Sequence, residues 1–162
     1  WRKLIAQRFE ARTTLMVANA MMIVAVIPLA LAQSMRGVIV GSAMTGLGLA
    51  GLILMGDVIV ADVIDEDEVK TGQRREGMYF GMSQFIITLS SSIVAAVFGL
   101  ITSAYGYDSS LAIQPDTVDT GFRIFMSLPV IAGSALAIVA LLFYPLHGER
   151  LSQVKEKLNR AD

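Results

Sequence analysis

The sequence predicts an all-α integral membrane protein with four transmembrane helices. Three observations carry this. Of the 162 residues, 54% are hydrophobic and only 17% charged, against about 25% charged in a soluble domain. Residues 13–35, 37–56, 78–107 and 124–148 contain no Asp, Glu, Lys or Arg, and each run meets the roughly 18 apolar residues that mark a spanning helix. No segment shows the roughly ten-residue alternation of a transmembrane β-strand. Lipid offers a bare backbone amide no partner, so the spans must be helices. A soluble enzyme, a nucleic-acid binder and a disordered tail are excluded, and no nucleic-acid partner is expected.

The first span covers about residues 13–33, a length of about 31 Å at about 1.5 Å per residue. Its one strongly polar residue, Asn19, is expected to bond a neighbouring helix, and Pro28 to kink the span. The second, about 38–59, carries Gly37, Gly41, Gly46, Gly48, Gly51 and Gly56; small residues let backbones approach closely. The third, about 78–103, places Gln84, Thr88, Ser91 and Ser92 on one face, which should look into the bundle or a watered cavity. The fourth, about 124–146, has Ser127, Ser134 and Pro129 in an apolar surface. The first and fourth therefore read as helices with much of their circumference in lipid. A connector at 62–77 and a tail at 149–162 complete the chain.

Orientation follows from the bases. Four spans put both termini on one side, together with Arg2, Lys3, Arg8, Arg12, Lys70, Arg74, Arg75, Arg150, Lys155, Lys157 and Arg160; only Arg36 and Arg123 fall opposite. Positive charge favours the cytoplasm, so both termini and the 62–77 connector are expected there. The chain opens at Trp1 without a signal peptide and reads as a piece of a longer protein. It contains no cysteine, which excludes disulfides and cysteine-held metal centres.

The densest charge lies in GDVIVADVIDEDEVKTGQRREGMYFG, residues 56–81. Acids followed closely by bases point to exchangeable ion pairs, although a merely solvated charged loop has the same composition. A calcium loop fails on spacing. Counting from Asp65, Val69 and Lys70 stand where the EF-hand needs an oxygen ligand and a glycine. Asp57 lies near the end of the second span, where an intramembrane acid would have a coupling role. His147, after Pro145, reads as solvated. The basic, amphipathic tail would lie on an anionic surface or hang in the cytosol.

The string ADVIDEDEVKTGQRREGMYFG resembles the cytoplasmic signature between the tenth and eleventh helices of the glycoside–pentoside–hexuronide:cation symporters. These are the melibiose-permease-like branch of the major facilitator superfamily. WRKLIAQRF at the start resembles the loop before the ninth helix, and YPLHGERLSQVKEKL the exit from the twelfth. At Glu66, where such proteins often carry an aromatic residue, this chain departs. The resemblance implies helices nine to twelve, part of the C-terminal six-helix half of a major facilitator fold in the cell (inner) membrane. It implies no covalent chemistry, only symport of a sugar or glycoside driven by sodium, proton or lithium entry through alternating access. The cation would bind in the amino-terminal half, leaving no cofactor or metal site in this chain. Gln84 and Thr88 become candidate substrate contacts; Asp62, Asp65, Glu68, Arg74 and Glu76 become parts of a cytoplasmic charge lock. Two other readings stay open: a facilitator of a lipid or drug, and a stand-alone four-helix assembly or sensor subunit.

Overall fold

The computed structural model describes residues 10–32 and 34–159. The opening 1–9 string, with Arg2, Lys3 and Arg8, lies outside the described residues, as does Arg160. Five helices follow in order: α1 (Ala11–Leu31), α2 (Met35–Thr71), α3 (Glu76–Ala104), α4 (Asp116–Leu142) and α5 (Glu149–Asn159). The first four are long and apolar enough to cross a membrane, and no strand occurs among the described residues. The fold is all-helical, as its composition requires.

Two boundaries differ from the sequence reading. The 62–77 segment is not a loop. Residues 62–71 are the last turns of α2, residues 76–77 open α3, and only 72–75 connect them. Nothing between Gly56 and Gly72 breaks a helix, and Glu66 and Lys70 pair across one turn at 3.0 Å, which favours helix. Gly72 ends it, adopting φ 68° and donating its N–H to the Glu68 carbonyl at 2.8 Å, a left-handed cap that suits glycine. With 37 residues, α2 is about 55 Å long, far more than a hydrocarbon core of about 30 Å. Its charged end therefore projects beyond the lipid.

The second difference lies in α4, which begins at Asp116 rather than near 124 and ends at Leu142 rather than near 146. Asp116 and Asp119 sit in its first turn, where the helix dipole favours anions. Arg123 pairs with Asp119 at 2.8 Å. Pro145 disfavours helix at the residue before it.

The packing centres on α1, which lies against both α2 and α4. Its small Thr14, Ala18 and Ala25 are buried, as is Met22. Gly41, Gly48, Met55 and Asp62 of α2 are all buried and fall seven residues apart, the repeat of a tight helix seam; Gly41 and Gly48 lie against Leu29 and Met22 of α1, whereas Asp62 pairs with α5. A side chain on Gly41 would come within 2.9 Å of the Leu29 backbone, and one on Gly48 within 2.8 Å of the Met22 sulfur. Arginines tie α1 to the antiparallel α4 at both ends. Arg12 donates to the carbonyls of Leu141 (2.7 Å) and Leu142 (2.9 Å), and Arg123 donates to that of Ala30 (3.2 Å). Each donates to carbonyls in the last turn of the facing helix, where intrahelical i+4 donors run out.

Burial within the described residues does not follow the expected division into lipid-facing outer and interior inner spans. The most buried helix is α1, because its small residues admit two neighbours at once. By contrast α3 has no buried residue among those described. It meets α4 through an aromatic cluster away from the charged end, with Phe98 edge-on to Phe125 at 5.1 Å and Tyr107 edge-on to Phe122 at 6.1 Å. Between α3 and the other three helices lies an apolar cavity of about 540 Å³, lined by Val26, Thr45, Val94 and Phe125 among others. Asn19 is corrected too: its amide donates to the Leu15 carbonyl of its own helix at 2.9 Å, not to a neighbour.

Candidate functional site

Charged side chains converge where α2 ends, α3 begins and α5 docks. The short 72–75 connection places Arg74 between both helices. Its guanidinium reaches Asp65 at 3.3 Å, Glu68 at 2.7 Å and Glu76 at 2.6 Å. Asp65 and Glu68 lie three residues apart on one face of α2, while Glu76 opens α3, so a single side chain bridges the two helices. The Glu76 and Glu68 carboxylates hold the Arg74 pKa far above its ordinary range. Beside it, Arg75 pairs with Asp67 at 3.1 Å.

A second set forms against α5. Glu66 accepts from Lys70 at 3.0 Å and from Arg150 at 2.6 Å; Asp62 pairs with Lys155 at 3.0 Å. Partial burial works against the Glu66 carboxylate, yet the hydrogen bonds from Lys70 and Arg150 outweigh it and leave its pKa below the usual 4.5. Tyr144, just past the end of α4, is the neutral member of this group. Burial first, then the Asp62 and Glu66 carboxylates, push its pKa up to about 12.

The structure thus gathers four of the five lock candidates, Asp65, Glu68, Arg74 and Glu76, around one guanidinium. Asp62 belongs instead with Lys155. Asp57 is exposed on α2 and makes no ion pair among the described residues. Gln84 and Thr88 are exposed on α3, and the Thr88 hydroxyl donates to the Gln84 carbonyl at 2.9 Å. Ser91 and Ser92 likewise donate to carbonyls one turn back. Their protons are spent within the helix, leaving oxygen lone pairs and the Gln84 amide for other partners. Sequence reasoning missed Asp67–Arg75, the central place of Glu66, and the roles of Arg150 and Lys155. The run of acids followed closely by bases signalled the first; no local pattern links the tail to α2.

Four membrane-length helices with a charge-paired end define a class, that of polytopic membrane proteins. More closely, residues 3–148 match the MFS/sugar transport protein family, and the chain belongs to it, within the major facilitator superfamily. No curated protein matches the chain, and no solved structure does.

Proposed function

We propose that this chain forms helices nine to twelve of a cation-coupled symporter for a sugar or glycoside, of the melibiose-permease-like branch. It would reside in the cell (inner) membrane with its charged end in the cytoplasm. Two six-helix halves rock about a midplane site, and the coupling cation, sodium, proton or lithium, binds in the amino-terminal half. The exposed polar face of α3 is offered to the remaining helices and to the substrate, with Gln84 and Thr88 as its hydrogen-bonding groups. Asp57 is the candidate link to coupling.

The observation that carries the reading is the Arg74 cluster. One guanidinium holding three carboxylates from two helices is an exchangeable charge lock: in the outward-facing state its members pair with the opposite half, and they return to one another when the cavity opens inward. Exposed pairs are individually weak, so the set biases a two-state equilibrium without freezing it. Arg74→Ala is expected to slow uptake severalfold in the full carrier while leaving its level in the membrane unchanged. Unaltered uptake kinetics would count against the lock. A panel of radiolabelled sugars, lipids and drugs tests the substrate class.

A further inference from the structure

The lock candidates do not behave as one set, because two acids of α2 are already occupied by α5. We infer that α5 is an intramolecular strap: it pairs Asp62 and Glu66 with its own Lys155 and Arg150 and so withholds these carboxylates from the charge lock proposed above, on which the inference rests.

Four features carry it. Lys155 meets Asp62 at 3.0 Å, and Asp62 is only 5% exposed, so this pairing is the acid's compensation for burial. Arg150 donates through Nε at 3.1 Å and Nη2 at 2.6 Å to the Glu66 oxygen that also receives Lys70. The order of the pairs, 62 with 155 and 66 with 150, runs α5 antiparallel to α2 along one turn. Finally, the approach of α5 is built: Leu146 and Val154 are buried, and Gly148 turns the chain at φ 61° while its N–H donates to Glu10 of the α1 entry at 2.9 Å.

The attachment is nevertheless light. Arg150 and Lys155 are half exposed, Val154 alone is fully buried among the described side chains of α5, with Leu151 and Leu158 half-buried, and a cleft of about 190 Å³ remains between the two helices beside Val69 and Gln153. Contacts of this kind open locally at low cost. A strap that releases exposes Asp62 and leaves Glu66 to Lys70 alone, beside Asp65 and Glu68; a strap that docks neutralises both acids.

The test uses the full carrier in lipid, with Arg150→Glu/Lys155→Glu as the releasing variant. Hydrogen exchange across 149–159, which needs no transport, should accelerate about tenfold. Uptake should fall about threefold, because the freed acids strengthen pairing with the opposite half. Adding Asp62→Asn and Glu66→Gln should restore uptake while α5 stays released. Truncation after Gly148 should reproduce the uptake defect without any reversed charge. Unchanged exchange in the double variant, or a defect that neutralising the two acids does not repair, overturns the strap. Normal uptake by Arg74→Ala instead overturns the lock, a separate result because the exchange measurement is independent of it.

Discussion

Gly41 and Gly46 look alike in the sequence, two glycines of one glycine-rich helix, yet they face different surroundings. A Cβ on Gly41 would press on the Leu29 backbone at 2.9 Å, whereas one on Gly46 meets nothing within 4 Å. Backbone cannot yield as a flexible side chain can. Gly41→Ala is therefore expected to cost about 1–3 kcal/mol, read as a lowered melting temperature of the detergent-solubilised protein. Gly46→Ala should be neutral or stabilising by up to about 1 kcal/mol, since alanine is the better helix former. The spacing identified glycines as packing residues; which of the six touch a neighbour depends on where α1 lies. Arg12 and Arg123 teach the same lesson. Each is a lone base at the edge of a span, and only the antiparallel placement of α1 and α4 sets each against the other helix's terminal carbonyls.

Among the elements, α2 and α5 form a pair with its own pH dependence. Glu66 titrates below its ordinary value when folded because it is paired with Lys70 and Arg150. A carboxylate with a lowered folded pKa contributes stability that is complete above the unfolded pKa and lost as pH falls through the folded one. Docking of α5 should accordingly be flat from roughly pH 8 to 5 and weaken below roughly pH 4.5. Spin-label distances between α5 and α2 would follow it; release near neutral pH would contradict the Glu66 pairing. The same elements show how a helix hides in a charged string. Residues 62–71 read as a loop because they are polar, but polarity reports solvent, not conformation. Without a breaker before Gly72, and with Glu66 and Lys70 one turn apart, the backbone simply continues.

For the molecule as a whole, the proposed orientation puts the 72–75 connection and the α3–α4 connection on opposite faces of the membrane. Because this chain contains no cysteine, single substitutions report cleanly within it. Gln73→Cys should react with impermeant reagent only from the cytoplasmic side, and Ser109→Cys only from the other. Labelling of both from one side would break the four-span topology. The arrangement around α3 also belongs to this scale: one helix with no buried residue stands beside a three-helix unit, and a cavity separates them.

Charge-free runs of membrane length determined the number of spans and the all-helical class, since the hydrocarbon core demands both apolar side chains and internal backbone bonding. The string from Asp62 to Gly77 likewise pointed to the major facilitator superfamily and held most of the Arg74 cluster, because its partners are close along the chain. What only the tertiary structure decided were the contacts between distant segments: α1 as the hub, glycine seams against particular residues, and α5 folded back on Asp62 and Glu66. Local pairs are set by helical geometry and can be counted off a sequence. Pairs such as Glu66 with Arg150, 84 residues apart, exist only once the helices have packed.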